Sequence, residues 1–116
     1  MKVRKPEHEI TVIERNRPSD TFGWGVVFSD QTIQNLQEND PESAKRINDN
    51  FAHWDDIDVH FKGQTITSSG HGFAGISRVK LLNLLQERAA ELGVQIRYET
   101  EVESLDSYRD SDLIVA

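Results

Sequence analysis

The feature that most constrains the fold is a leucine-rich helix pattern that runs directly into a strand pattern. Ser77 predicts the N-cap of the helix, and Gly93 predicts its left-handed C-terminal end. Apolar residues recur between them at helical spacing: Val79, Leu81, Leu82, Leu84, Leu85, Ala89 and Leu92. A strand predicted over residues 94–99 follows at once. A helix that leads directly into a strand is half of a crossover unit, so the pattern predicts a parallel sheet.

A second buried strand is predicted over residues 9–14, near the start of the chain. Its β-branched, largely apolar run ends on the carboxylate of Glu14. In open α/β sheets ligands bind beyond the carboxyl ends of the strands, where an acidic residue can accept hydrogen bonds from a ribose diol. Glu14 is therefore a candidate ribose ligand. The alternative is an acid that simply ends a strand in solvent.

The segment GWGVVF, residues 23–28, is predicted to be a glycine-rich loop. Gly23 and Gly25 flank Trp24 and allow the backbone to approach a planar ligand closely. Two interpretations of Trp24 stay open. Its indole either stacks on the ring of a ligand or fills part of the core.

Four further elements are predicted from capping residues and apolar spacing. A shallowly packed helix begins at Ser29 or Asp30, and a clearer helix follows, with Asp40 as its cap and Pro41 in its first turn. Apolar and polar residues alternate over 56–68, which predicts a β-hairpin. The last five residues, DLIVA at 112–116, are expected to form a closing strand.

Composition favours one globular α/β domain and excludes several function classes. The 116 residues include 20 acidic and 13 basic side chains, a net charge of −7, which disfavours nucleic acid and anionic membranes as partners. There is no cysteine, so disulfides and thiolate chemistry are excluded. The sequence contains no signal peptide and no apolar run long enough to cross a bilayer. We therefore expect a cytoplasmic protein.

Four segments together resemble a known enzyme family: ITVIERNRPSDTFGWGVVFSDQT, AHWDDIDVHFKG, GHGFAGISRVKLLNLLQERAAELGVQIRYETEV and DLIVA. They are similar to the FAD-dependent aromatic hydroxylases of the p-hydroxybenzoate hydroxylase class, and most of all to the members that act on aromatic CoA thioesters. The resemblance implies that residues 1–116 form a partial, Rossmann-like FAD-binding domain with a hairpin inserted near 56–68. The family's N-terminal G-x-G-x-x-G element has no counterpart here, so we expect a fragment of a flavoprotein.

The resemblance also implies roles for individual residues on the adenosine side of FAD. Glu14 would hold the ribose, and Arg15 would lie beside the adenosine, although a surface arginine is the alternative. Arg78, at the start of the leucine-rich helix, would contact the diphosphate, unless it only pairs with a nearby carboxylate. The backbone of Val102 would face the adenine.

On the flavin or substrate side, the resemblance places Trp24, Gly25 and His71. It implies oxygen transfer to an aromatic ring, with NADH or NADPH as reductant and an aromatic acyl-CoA or related small molecule as substrate. We nominate no catalytic side chain and no metal site. The alternative function is a non-catalytic α/β remnant or binding module that lacks tight flavin binding. Exposed sheet edges would also allow self-association.

Overall fold

The computed structural model describes residues 1–115. Within these residues, seven strands and three α-helices follow one another: β1 (Thr11–Ile13), β2 (Gly25–Ser29), α1 (Asp30–Asn39), α2 (Pro41–Asn48), β3 (Ala52–Trp54), β4 (Ile57–Phe61), β5 (Gln64–Ser68), β6 (Phe73–Ser77), α3 (Arg78–Glu91) and β7 (Gln95–Arg97). A short 3-10 helix over Leu105–Tyr108 comes last.

The predicted parallel arrangement is present in the pair formed by β1 and β7. Val12 lies opposite Ile96, and both strands run in the same direction. Both strands are shorter than the predicted ranges of 9–14 and 94–99. α3 leads into β7 after only three residues, as the sequence predicts for a crossover. The chain is thus a mixed helix and strand structure that contains a parallel strand pair.

The core lies against a three-stranded antiparallel sheet in which β6 is the centre, between β2 and β3. Ile76 from β6, Ile47 from α2 and Leu81 from α3 form its buried cluster. Five partly buried side chains pack around it: Val26, Phe28, Leu36, Phe51 and Leu84. α3 begins at the residue that follows β6, so the sheet fixes where this helix starts relative to the core.

The helix caps in the structure are largely those that the sequence predicts. The Ser77 side chain accepts a hydrogen bond from the backbone N–H of Lys80 at 3.2 Å, which caps α3. Asp40 caps α2 in the same way through Ser43. Ser29 is the N-cap residue of α1, but its side chain makes no capping hydrogen bond. Since α1 has no buried residue, its shallow packing is confirmed.

Three predictions are wrong. The strand predicted over 9–14 is not buried, because Thr11 and Val12 of β1 are exposed and Ile13 is only partly buried. The segment 23–28 is mostly not a loop, because Gly25–Ser29 pairs with β6 along its whole length. The expected closing strand is also absent, since residues 112–115 have no regular structure; Ala116 lies outside the described residues. A strand needs a neighbour for its backbone hydrogen bonds, and in the part of the chain that the structure describes no strand pairs with 112–115.

The predicted hairpin is present as β4 and β5, and all ten of its strand residues are exposed. The molecule is accordingly extended, at 60 × 30 × 20 Å with a radius of gyration of 18.4 Å. A compact domain of this length has a radius of gyration of about 13 Å. The accessible surface is 8926 Å², whereas a compact protein of this mass exposes about 6,400 Å². Across residues 1–115, the helices are too short or too polar to span a bilayer.

Candidate functional site

A small open groove of about 280 Å³ lies at the carboxyl ends of β1 and β7. It is lined by Ile13, Glu14, Arg15, Thr100, Glu101 and Val102. The groove forms here because the two strands are parallel, so the segments that leave them diverge from the same edge. Three residues predicted to bind the cofactor, Glu14, Arg15 and Val102, therefore lie together.

Backbone hydrogen bonds that continue past the strands hold the floor of the groove. The N–H of Glu14 donates to the carbonyl of Arg97 at 2.9 Å, and the N–H of Thr100 donates to the carbonyl of Glu14 at 3.1 Å. One step further, the N–H of Glu99 donates to the carbonyl of Asn16 at 3.2 Å. These bonds fix the two walls of the groove relative to each other.

The Glu14 carboxylate is half-buried and held in place by Asn16. Both the backbone N–H and the side-chain amide of Asn16 donate to Oε1 of Glu14, each at 2.7 Å. Within residues 1–115, Oε2 receives no hydrogen bond from the protein. The side chain is thus oriented by one oxygen and keeps the other free to accept from a ligand. The sequence analysis assigned Asn16 no role, although its position two residues after the strand-end acid was a usable signal.

Two loose ion pairs border the groove. The Arg15 guanidinium lies 3.9 Å from the carboxylate of Glu101, and that of Arg17 lies 3.4 Å from Glu99. All four side chains are well exposed, so these pairs add little to stability. They leave Arg15 able to reorient toward a ligand. Glu101 and Thr100 are lining residues that the sequence analysis missed, because only Val102 of this segment was singled out.

The predicted cofactor contact Arg78 lies elsewhere and is not a lining residue of the groove. Its Nη1 donates to the carbonyl of Phe22, and its backbone N–H donates to the carbonyl of Trp24 at 3.2 Å. In this segment Gly23 has a φ of +91°, a left-handed conformation that favours glycine. Arg78 therefore holds the segment that carries Trp24. The structure does not bring Arg78 and Glu14 into one cavity.

Trp24 is 97% exposed, so it does not fill the core of the described residues. Gly25 follows it with little space, because a Cβ there would lie 3.1 Å from the carbonyl oxygen of Ile76. A tight backbone thus presents the indole to solvent. No contact in the described part of the chain assigns the ring a structural role.

His71 lies in the connection between β5 and β6 and is held by its neighbours. Its Nε2 lies 2.7 Å from the hydroxyl of Ser68, and its ring stacks on Phe73 with centroids 5.5 Å apart. Its backbone N–H donates to the carbonyl of Asp55 at 3.1 Å. The residue is exposed.

The strongest electrostatic perturbation lies away from the groove, where α2 meets α3. The Arg88 guanidinium donates to both oxygens of Asp40, through Nε and Nη2, each at 3.1 Å. This bidentate contact, helped by Ser43 and opposed by partial burial, lowers the pKa of Asp40 to about 2. Beside it, Arg46 lowers the pKa of Glu91. The cluster fastens two helices and contains no free ligand-binding group, so we interpret it as structural.

No protein-family model matches the chain. It is 44% identical over 115 residues to a salicyloyl-CoA 5-hydroxylase from Streptomyces sp, a match that covers 99% of this chain and 22% of the relative. It is 32% identical over 108 residues to a 3-hydroxy-4-methyl-anthranilyl-(aryl-carrier protein) 5-monooxygenase from Streptosporangium sibiricum, covering 93% of this chain and 30% of the relative.

Among solved structures, the chain is similar to a mutant form of 2-methyl-3-hydroxypyridine-5-carboxylic acid oxygenase. The TM-score is 0.70 at 16% identity, over 86% of this chain and 27% of the other. This likeness shows a shared fold. The chain spans between 22% and 30% of the length of the two curated relatives above. The resemblance inferred from the sequence is confirmed: over nearly its whole length, this chain is similar to part of a salicyloyl-CoA 5-hydroxylase and to part of an anthranilyl-(aryl-carrier protein) monooxygenase.

Proposed function

We propose that this chain supplies the adenosine-binding part of an FAD-dependent monooxygenase that hydroxylates an aromatic substrate. The observation that carries the proposal is the Glu14 carboxylate. Asn16 holds one of its oxygens, while the other is free in a groove at the carboxyl ends of two parallel strands. This is where an α/β sheet binds a nucleotide, and a fixed acceptor suits the two hydroxyls of a ribose.

The residues of the groove fit the adenosine half of FAD. Glu14 would accept from the ribose diol, and the backbone at Val102 would contact the adenine edge. Arg15 is held only by an exposed pair with Glu101, so it is available on the adenosine side. In this proposal β1, α3 and β7 belong to a Rossmann-like unit that extends over residues 1–116, with the hairpin as an insertion.

Arg78 fits the diphosphate only if it serves two partners at once. A guanidinium has five N–H donors, and one nitrogen, Nη1, donates to Phe22. Within residues 1–115, Nη2 and Nε donate to no protein acceptor. A guanidinium can donate to two phosphate oxygens at once. Arg78 would then link the cofactor to the segment that carries Trp24. On this proposal Trp24, Gly25 and His71 lie on the flavin or substrate side.

A bound flavin would supply electron transfer and oxygen activation, for which protein side chains have no equivalent. The chain's own residues bind and orient the adenosine end and shape the approach to the ring. The relatives act, by name, on a salicyloyl thioester of CoA and on an anthranilyl group on a carrier protein. We therefore propose an aromatic acyl thioester as substrate and NADH or NADPH as reductant. The cytoplasmic location stays a prediction.

A second candidate is a non-catalytic α/β module that binds flavin weakly or not at all. The large accessible surface and the absence of Arg78 from the groove favour it for the chain on its own. In the described residues β1 and β7 each pair only with the other, so a free edge on each also allows self-association. For the isolated chain we therefore expect FAD binding weaker than micromolar.

Titration of flavin fluorescence with the purified chain tests both candidates. We expect weak, saturable FAD binding. Glu14→Gln should lower the affinity about tenfold, because a side-chain amide has one oxygen that accepts hydrogen bonds where a carboxylate has two. Glu103→Gln is the matched control, since Glu103 does not line the groove. Equal affinity of the wild type and Glu14→Gln would contradict the ribose role. Absence of saturable binding would favour the second candidate.

A further inference from the structure

Among the large apolar side chains of residues 1–115, Trp24 is the most exposed, at 97%. Within the same residues, the aromatic pairs are formed by other rings, so no ring packs against this indole. An indole left in water gives the fold none of the stabilisation that its burial would bring. Trp24 is therefore a candidate for contact with a ligand rather than with the fold.

The backbone that carries Trp24 is held on both sides. The carbonyl of Trp24 accepts a hydrogen bond from the N–H of Arg78 at 3.2 Å, and the carbonyl of Phe22 accepts one from Nη1 of Arg78. From Gly25 onward the chain pairs with β6, starting opposite Ser77. A loose loop loses conformational freedom when its side chain binds a ligand, whereas a fixed backbone has already lost most of it. The indole is thus presented to solvent by a backbone that is ordered before any ligand binds.

The neighbours of Trp24 leave room for a flat ligand. Gly23 and Gly25 flank it, so neither adjacent residue has a side chain that could lie on the indole. Aromatic rings attract one another in offset-stacked arrangements, and burying one tryptophan removes about 150–250 Å² from water. A specific protein interface buries about 800 Å² on each partner, several times that area. A small planar ring therefore suits Trp24 better than a protein surface does.

We propose that Trp24 is a stacking platform for a planar conjugated ring and that Arg78 is its positioning residue. Arg78 acts on the platform through the carbonyls of Phe22 and Trp24. The inference rests on the proposed function for the two sources of such a ring, which are the flavin and the aryl group of the substrate. Without the Nη1 bond the segment would be freer, so the ring would bind more weakly because the platform must then be ordered on binding.

Lumiflavin is the probe for the flavin source, because it is an isoalloxazine ring without ribityl chain, phosphate or adenosine. In an NMR titration of the ¹⁵N-labelled chain, we expect it to shift the indole N–H signal of Trp24. Trp24→Leu should lower the affinity for lumiflavin about tenfold, the usual effect of removing a stacked aromatic ring, and Trp24→Phe should keep most of it. Trp54→Leu is the matched control and should leave the affinity unchanged, because the Trp54 ring already packs over Gly75 and beside Phe73.

Arg78→Ala tests the positioning role separately. Its affinity for lumiflavin should fall about threefold. The heteronuclear NOE of the Trp24 indole N–H should fall as well, because the platform becomes mobile. Lumiflavin has no phosphate, so this loss cannot come from a missing diphosphate contact. Lys80→Ala is the control for charge, since Lys80 lies in the same first turn of α3. Equal effects of the two alanine variants would overturn the positioning role.

Salicylamide, a single uncharged aryl ring, distinguishes the two sources. A shift of the Trp24 indole signal by lumiflavin alone assigns the platform to the flavin, and a shift by salicylamide alone assigns it to the aryl group. No shift by either probe, or equal lumiflavin affinity of the wild type and Trp24→Leu, would overturn the proposal. Adenosine binding in the groove at Glu14 is measured without either probe, so the proposed function is tested separately.

Discussion

At the scale of single residues, Asp40 shows how one carboxylate joins two helices. It caps α2 through Ser43 and also receives both hydrogen bonds from Arg88 on α3. The capping role was predictable, because Asp followed by Pro is a helix-start signal. The partner Arg88 was not predictable, since it lies 48 residues further along the chain. Only the packing of α2 on α3 brings the two side chains together.

This contact predicts a loss of stability in acid. The folded pKa of Asp40 is about 2, below the ordinary 3.8. Its charge therefore stabilises the fold fully above about pH 4, and this contribution is lost as the pH falls toward 2. Urea unfolding followed by circular dichroism should show a free energy of unfolding that falls across this window.

Asp40→Asn is the control for the acid transition, because an asparagine still caps a helix but does not titrate. We expect its free energy of unfolding at neutral pH to be lower than that of the wild type. Its decline between pH 4 and 2 should also be shallower. Parallel curves for the two proteins would show that another carboxylate governs the acid transition.

At the scale of elements, local signals predicted whatever depends on near neighbours. The leucine-rich helix, the capping bonds of α2 and α3 and the hairpin are all present. The central strand β6 was missed because its sequence, FAGIS, contains a glycine that weakens a strand pattern. In the structure the ring of Trp54 lies over Gly75, where a Cβ would be 3.0 Å from it. A side chain at position 75 would crowd the Trp54 ring, a contact that no local pattern reveals.

In the candidate site, too, some residue positions were predictable from the sequence and others were not. Glu14, Arg15 and Val102 lie together because parallel strands deliver their carboxyl ends to one edge. The strand pattern pointed to Glu14, and the family resemblance implied Arg15 and Val102. The position of Arg78 depends on the path of the segment 22–25. The pairing of β2 with β6 begins at Gly25, and three residues earlier the carbonyl of Phe22 accepts a hydrogen bond from the guanidinium of Arg78. Missing β6 therefore also meant missing this contact.

The two serine N-caps give an element-scale prediction. Ser77→Ala removes a capping hydrogen bond from α3 and should lower the free energy of unfolding by about 1 kcal/mol. Ser29→Ala removes a side chain that makes no capping bond to α1, so a smaller effect is expected. Denaturant unfolding of both variants measures the difference. A larger loss for Ser29→Ala would show that α1 is capped differently in solution.

At the scale of the whole molecule, a small core and a projecting hairpin produce an extended shape. Five apolar residues are buried in the described chain: Ala44, Ile47, Ala74, Ile76 and Leu81. Small-angle scattering of the isolated chain should give a radius of gyration near 18.4 Å. A value near the 13 Å or so of a compact domain would show that the hairpin folds back onto the core in solution.

The central claim is that Glu14 binds a ribose diol in the groove between β1 and β7. The most direct measurement compares adenosine with 2′,3′-dideoxyadenosine by NMR titration of the ¹⁵N-labelled chain. We predict that adenosine shifts the amides of residues 13–16 and 100–102, and that the dideoxy compound binds about tenfold more weakly. Glu14→Gln should remove this preference. Equal binding of the two nucleosides to the wild type, or shifts confined to other residues, would contradict the account.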